Sequence, residues 1–409
     1  MKFTFIDKEQ LCVYQNGKTE KYESAYISRY KENIKQEQKN REWKKKSDIM
    51  LYEDFYEKGE GRVQTEISAL SPTQEENKVI YAFSVNETSG IYYKYLDDEK
   101  KTEAHLLSSR EEKFGDITVH ESGKIAGTVQ KDFYTSDIAI FSPSGGDYKS
   151  LTGGDGKDEH PFFGEDGDIW FNSYGVGRTM ENEFVRYMPS EIVKINVHTM
   201  ELETVISDSR YSYIKPILDE NGTLYCIRKP GEEKEKRNVF LDILLIPVRI
   251  VQAIVGFISM FVTIFAGKPL MEGKGKTRSG NGAAKNADER KIFVHNHLLN
   301  VEEELKKNKK QEDCGFIPHS WKLVKIKKDG DTYKAENAEE IASGVADFCL
   351  TEKGALVYTN GKHIFAYDRQ AGGKRKKLLN VDFCISLGAL QRGKLFQNTQ
   401  TAEEFFQDL

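Results

Sequence analysis

The sequence predicts an all-β protein made of repeated four-stranded units arranged in a ring, and three observations carry that expectation. Short runs rich in Phe, Tyr, Val and Ile alternate with Gly-containing or acidic turns along most of the 409 residues, which include 20 Tyr and 23 Phe. The turns recur at Asn77, Gly123, Gly167, Gly222, Gly354 and Gly393, with spacings of 46, 44, 55, 132 and 39. The one long gap holds an insertion near Gly231–Pro318, and removing its 88 residues restores a spacing of 44. A period near 44 with four short strands per unit is that of propeller blades. The third and fourth strands of each unit read as GIYYKYL and AHLLSS, DIAIFSP and YKSLT, SEIVKINV and LETVIS, KLVKIKK and TYKAEN, HIFAYDR and KKLLNV. Five units are then complete. The sixth has two strands, ending near Thr399–Gln400.

Residues 1–17 supply the missing pair. KFTFID and QLCVYQNG alternate apolar and polar residues, and Asn16-Gly17 is a turn signal. This predicts a six-bladed propeller closed by its N- and C-terminal strands, with no free sheet edge. Residues 18–48 read as a polar helical excursion. Lys18–Lys46 holds ten Lys/Arg against five Glu, a net +5, and offers little apolar surface to bury. Residues 49–230 carry the first blades.

Within them, LTGGDGKDEHPFFGEDGDIWFNS (Leu151–Ser173) resembles the WD40-like repeat of TolB-type propellers. Leu151, Thr152, Asp158, Pro161, Phe163, Asp166, Gly167, Ile169 and Phe171 match its pattern. One blade later Pro216, Asp219, Gly222 and Tyr225 match it too. The resemblance implies architecture, with Gly123, Pro161, Asp166, Gly167, Pro216, Gly222, Gly354 and Gly393 as blade-turn residues. It implies no activity, because propeller turns recur in proteins of unrelated function.

The insertion, residues 231–317, interrupts the fourth unit between its second and third strands. Val239–Gly267 is apolar except for Asp242 and Arg249. Its length would span a bilayer, but a single pass would separate blades that have to close one ring. Lys234, Lys236 and Arg237 precede it and Lys268, Lys274, Lys276 and Arg278 follow it, so both ends are expected on the cytoplasmic side. As a helix it places Asp242, Arg249, Gln252, Gly256, Ser259 and Thr263 within an arc of about 100°. The wide remaining face carries Phe240, Leu244, Ile250, Ile254, Phe257, Phe261 and Phe265 as candidate membrane or partner contacts. Such a helix lies in the membrane interface or dips in as a shallow hairpin. Residues 268–290 read as a flexible Gly/Lys/Asn-rich linker. Residues 291–310 read as a short helix, from Val294, Leu298, Val301 and Leu305 at helical spacing. Residues 318–409 complete the propeller.

The formal net charge of −5 excludes an evenly basic nucleic-acid binder. Lys268–Lys310 repeats the +5 of Lys18–Lys46, with eleven Lys/Arg against six Asp/Glu. Two basic segments on an acidic body predict contact with an anionic surface. The five cysteines are widely spaced and predict neither a disulfide framework nor a zinc site. MKFTFIDKEQ holds no apolar signal core, which predicts a cytoplasmic body. Gly275-Lys276-Thr277 lacks the upstream glycine of a phosphate loop, with Leu270 in its place. His295 and His297 would diverge on a helix, the acidic residues from Asp155 to Asp168 lack calcium-loop spacing, and there is no GxSxG elbow. The functional expectation is a non-catalytic scaffold in the bacterial cytoplasm with no cofactor. The inserted helix holds it on anionic lipid, and its blade loops face an unidentified protein. The alternatives are a soluble subunit whose apolar helix docks in a partner groove, and a small-ligand or enzymatic propeller.

Overall fold

The computed structural model describes residues 1–46, 65–85, 88–96, 103–165, 167–231, 291–309, 313–369, 373–391 and 401–409. Contacts divide the chain into two units, Met1–Gly231 with Val294–Leu409, and Glu232–Phe293. Of the second, only Lys291–Phe293 are described. The apolar segment 239–267, the linker 268–290, Asp166 and Gly393 all lie outside the described residues.

The chain is mostly β. Strands β1 (Lys2–Asp7), β2 (Gln10–Gln15) and β3 (Lys18–Tyr22) form an antiparallel meander, followed by helix α1 (Ala25–Lys46). Strands β4 (Thr65–Pro72), β5 (Lys78–Val85), β6 (Thr88–Tyr95) and β7 (Ala104–Ser109) make a sheet in sequence order. So do β8 (Lys113–Val119), β9 (Ile125–Gln130), β10 (Ser136–Phe141) and β11 (Tyr148–Ser150). Next come β12 (Gly156–Phe163), β13 (Asp168–Arg178), β14 (Phe184–Tyr187), β15 (Glu191–Asn196) and β16 (Leu202–Ile206). Here β12, β13, β15 and β16 form the sheet, and β14 pairs with the overhanging end of β13. A parallel pairing at Ser136–Lys157 links this sheet to the previous one.

Strands β17 (Tyr211–Leu218) and β18 (Leu224–Pro230) start the next sheet. The described end of the insertion holds β19 (Lys291–Val294), β20 (His297–Asn300) and α2 (Val301–Asn308). Then β21 (Lys322–Ile326) pairs directly with β18. The small ladder of β22 (Lys328–Asp329) and β23 (Thr332–Tyr333) precedes β24 (Glu339–Ser343), the fourth strand. The last sheet in sequence order is β25 (Asp347–Leu350), β26 (Leu356–Thr359), β27 (Gly361–Tyr367) and β28 (Arg375–Cys384). Strand β29 (Leu387–Gly388) pairs with β1, giving the order β29-β1-β2-β3.

Strands such as KFTFID and SDIAIF are buried along nearly their whole length, as expected where both faces of a sheet meet neighbouring sheets. The core therefore lies between sheets. One cluster joins Phe162, Trp170 and Ile192 to Ile214, Leu224, Ile227 and Leu323; another joins Ala69 and Ile80 to Phe114, Val119 and Phe141. Each such side chain contributes about 1.5–3 kcal/mol of apolar burial. Gly123, Gly167, Gly222 and Gly354 occupy the hairpin turns at φ 85°, 83°, 71° and 69°, a region where a Cβ is strained.

Five expectations need correction. The N-terminal segment supplies three strands, because Lys18–Tyr22 extends the meander before the helix begins. Asn16-Gly17 joins β2 to β3, whereas the turn between β1 and β2 is at Lys8-Glu9. Among the described C-terminal residues, Leu387–Gly388 join β1 as β29 and Gln391 bonds to other sheets, while the expected second strand, GKLFQNT, lies outside the described residues. Gln391 N–H donates to Val119 O at 2.9 Å, its carbonyl accepts from Glu121 N–H at 2.9 Å, and its side-chain oxygen accepts from Phe163 N–H at 3.0 Å. Helix α3 (Ala402–Asp408), closed by a Thr401/Glu404 capping box, buries Phe405 and Phe406 among Ile138, Ile140, Phe163 and Phe171. TYKAEN is not the fourth strand; that role falls to Glu339–Ser343. The helix expected over 291–310 is confined to Val301–Asn308. His295 and Asn296, at φ 45° and 59°, make a left-handed turn where helical spacing would require continuity. Pro161 and Pro216 lie inside β12 and β17 rather than in turns.

Candidate functional site

The first strand of four sheets is interrupted in the same way. Register shifts fall between Ile67 and Ala69 in β4, Gly115 and Thr118 in β8, Glu159 and Phe162 in β12, and Ile214 and Ile217 in β17. In the last three, the bulged residue has positive φ: Asp116 at 46°, His160 at 56° and Lys215 at 55°. A bulge re-aims a side chain and releases a ladder N–H. That release explains Pro161 and Pro216, which immediately follow His160 and Lys215 and have no N–H to give. Asp116, His160 and Lys215 each stand seven positions before their turn glycine, as does Asp347 before Gly354. The strands carrying them adjoin one another, β4–β8–β12–β17, with β29 touching both β25 and β4. These residues converge.

Their bonds run between sheets. Lys215 Nζ donates to Asp347 Oδ1 at 2.6 Å and to Leu387 O at 3.1 Å. Asp347 also accepts from Leu387 N–H at 2.6 Å and Phe348 N–H at 2.9 Å. Asn172 Oδ1 takes His160 Nδ1–H at 2.9 Å and Lys215 N–H at 3.1 Å, which fixes the amide's orientation. Asp116 Oδ2 accepts His160 N–H at 3.3 Å, and its Oδ1 lies 3.7 Å from His160 Nε2.

The turn after β19 closes over this set. His295 Nε2–H donates to Ala346 O at 2.6 Å, and its ring sits 5.1 Å from that of His160 and 5.8 Å from Trp321. Lys229 Nζ donates to His295 O at 2.6 Å. Asn296 Oδ1 accepts from Lys157, and its Nδ2 donates to both Glu159 carboxylate oxygens at 3.3 and 3.2 Å. Lys157 is 3.2 Å from Glu159.

Burial pushes the Asp116 carboxyl above its usual range, with His160 pulling the other way. Burial, helped by the neighbouring His160, holds the His295 imidazole well below its usual range. Burial also works against the Lys157 ammonium, but Glu159, Tyr187 and Asp116 together outweigh it and raise its pKa. The charges offset one another: Lys157, Lys215 and Lys229 face Asp116, Glu159 and Asp347. Burial pushes the nearby Cys349 thiol up to about 12, which removes it as a nucleophile at neutral pH. Within this cluster of described residues, Asp116 and His160 stand as a carboxyl–imidazole pair. Among the described residues no group of three or more His, Cys, Asp or Glu could hold a metal ion.

A pH dependence follows from His295. Its folded pKa is depressed, so the unfolded chain binds the proton first. The stability it confers is complete above about pH 6.5 and falls by about 1.4 kcal/mol per pH unit below it. The unfolding free energy from urea denaturation should drop between pH 7.5 and 5.5 by about 1 kcal/mol more in the parent than in His295→Gln. Equal drops would remove His295 as the cause. Asp116, whose pKa is raised, acts with the opposite sign.

None of the residues singled out in the apolar segment can be placed, since all lie outside the described residues. The central cluster was missed in sequence. Its signal was a polar residue seven positions before each turn glycine, hidden because Asp, His and Lys share no motif.

No protein-family model matches the sequence, and no curated protein matches it. Solved structures with similar strand arrangements include TolB from Acinetobacter baumannii, 8% identical with TM-score 0.46, covering 95% of this chain and 65% of that one. The tricorn protease is 12% identical with TM-score 0.42, covering 94% and 30%. A Mycobacterium tuberculosis puromycin-hydrolyzing peptidase is 10% identical with TM-score 0.41, covering 93% and 46%. The chain thus spans two thirds or less of each of these proteins.

Proposed function

We propose that the chain is a six-bladed propeller, closed where β29 meets β1, that works as a non-catalytic scaffold. The apolar segment 239–267 holds it on the cytoplasmic face of a membrane while its loops face a protein partner. One observation carries this reading. β18 and β21 are paired neighbours in one sheet, yet all of residues 231–321 lie between them. The chain leaves and returns at one end of one sheet, so a single membrane crossing is incompatible with the pairing. An apolar segment with basic residues on both sides then fits an interfacial helix or shallow hairpin. Each nearby Lys or Arg adds about 1 kcal/mol at an anionic leaflet. The mutual pairing of the central charges supports a role in tying blades together. Among the described residues no helix is long and apolar enough to cross a membrane.

Replacing residues 239–267 with a Gly/Ser linker should move the protein from the membrane to the soluble fraction without altering its circular dichroism. Unchanged fractionation would sink the anchoring role. If the intact protein fails to float with anionic liposomes, docking of the segment in a protein groove takes its place. A second reading has its own observation, the Asp116–His160 pair at the convergence of the inner strands. A small ligand bound there has to shift the His160 imidazole resonances seen by NMR, and a panel of small acids and anions that leaves them unmoved removes this reading.

A further inference from the structure

We propose that the His295–Asn296 turn is an internal plug on the Asp116–His160 pair, closed at neutral pH and released in mild acid; this rests on the small-ligand reading of that pair. The His295 ring stands 5.1 Å from that of His160, tilted by 57°, and 5.8 Å from that of Trp321. The His160 side chain is only 13% exposed, against 27% for Asp116. The pair is therefore reached from its carboxyl side and covered on its imidazole side. A ligand that bonds His160 meets the His295 ring first.

The turn is held in a way that lets it go. Strand β20 joins none of the blade sheets. Among the described residues, each bond that fixes the turn has a side chain at one end: His295 Nε2–H to Ala346 O, Lys229 Nζ to His295 O, Lys157 Nζ to Asn296 Oδ1, and Asn296 Nδ2 to the Glu159 carboxylate. Its departure strands little charge. Lys157 and Glu159 remain a pair at 3.2 Å, and Lys229 keeps the rings of Tyr174 and Trp321 at 5.5 and 5.4 Å. Val294 and Leu299 are buried on either side, which confines the movement to the residues between them. Such a segment opens at far lower cost than a strand in the middle of a blade.

Acid supplies the release. The titratable groups around His295 are His160, Lys157 and Glu159 on β12, Asp116 on β8 beside His160, Lys215 on β17 with its partner Asp347 on β25, and Lys229 on β18. Burial disfavours a proton on the closed His295 ring, and His160, Lys229 and Lys215 repel it further. The released ring titrates near its ordinary value of about 6.5, so each pH unit below that favours the open turn by up to about tenfold. Asp116, whose carboxyl is raised, pulls the other way. His295→Gln separates the two, since it keeps an N–H donor and loses the titration.

The test uses the full chain with fluorotryptophan at its three Trp positions, the Trp321 signal being assigned with Trp321→Phe. Trp321 is 3% exposed beside the turn, so opening registers as a growing solvent isotope shift of its fluorine resonance. Between pH 7.5 and 5.5 that shift should grow in the parent and stay flat in His295→Gln, with the Trp170 signal and the circular dichroism unchanged. A flat Trp321 signal in the parent, an equal change in His295→Gln, or a Trp170 signal that moves with it overturns the plug. Acetate and inorganic phosphate are then titrated at pH 7.5 against the His160 imidazole resonances, in the parent and in His295→Gly/Asn296→Gly. Asn296→Ala, which removes the bonds to Lys157 and Glu159, replaces the glycine pair if that variant fails to fold. At least one of the two anions should bind about tenfold more tightly to the variant. Equal affinity overturns the plug and leaves the ligand reading standing. No shift in either chain, with either anion, overturns the ligand reading and the plug with it.

Discussion

Lys215→Met is expected to lower the unfolding free energy by about 3–5 kcal/mol, among the largest effects of any single substitution in this chain. The ammonium and the Asp347 carboxylate are 2.6 Å apart with side chains only 16% and 5% exposed. Removing the cation leaves a buried carboxylate with only the N–H groups of Leu387 and Phe348 to hold it. Asp347→Leu should cost at least as much, since it strands both the ammonium and those donors. The double replacement Lys215→Met/Asp347→Leu should recover most of the loss, because no uncompensated charge remains and the site borders Phe348 and Cys349. Urea unfolding of the three variants gives the coupling directly. If the single-variant losses simply add in the double variant, the pair is not the element that ties β17 to β25 and β29.

That pair shows why the centre was hard to read from sequence. The repeat was legible through its turns, since a glycine at positive φ at a fixed step from apolar strands is a local signal that survives degeneracy elsewhere. Lys215 carries a long charged side chain in a strand otherwise reading YSYI-PIL. On local grounds it interrupts an apolar run, and only neighbouring sheets show that it bridges two of them. Bulges add to the difficulty, because Asp116, His160 and Lys215 adopt positive φ without being glycine. The same holds for His295-Asn296, whose turn broke an otherwise acceptable helical spacing. Strand β3, KTEKY, has an exposed pattern with no buried residue and is defined by its pairing with β2. Its charge made it look like the start of the polar helix. The fourth strand of the interrupted sheet, EEIAS, is equally polar; TYKAEN was the more strand-like sequence but lies in a side ladder. In each case pairing partners distant in sequence overrode local propensity.

The seam between the chain's two ends gives the second large expectation, Gly388→Ala. A Cβ at this position would stand 2.0 Å from Leu70 O and 2.8 Å from Thr4 Oγ1, so backbone has to move. Thr4 is the pin of the seam, its hydroxyl bonding Leu70 O at 3.0 Å and Gly388 O at 3.1 Å. Forcing β29 away from β4 breaks this shared contact and strains the Thr4–Gly388 and Phe5–Leu387 register. Overpacking by one methyl costs about 1–3 kcal/mol and each lost buried hydrogen bond about 1 kcal/mol more, so a loss near 3–5 kcal/mol is expected. Gly153→Ala is the control: no atom lies within 4 Å of its Cβ position, and its stability should stay within about 0.5 kcal/mol of the parent. The location of the damage tests closure as well as stability. β1 to β3 reach the C-terminal chain through β29 and through the donations of Ile6 N–H to Ser386 O and Lys8 N–H to Phe383 O. If that junction closes a six-bladed ring, amide exchange in Gly388→Ala should accelerate first in β1, β2 and β3. The sheets β8–β11 and β12–β16 should stay protected, held by Gln391 and α3. Uniform acceleration throughout would show that the ends carry no special share of the ring's integrity.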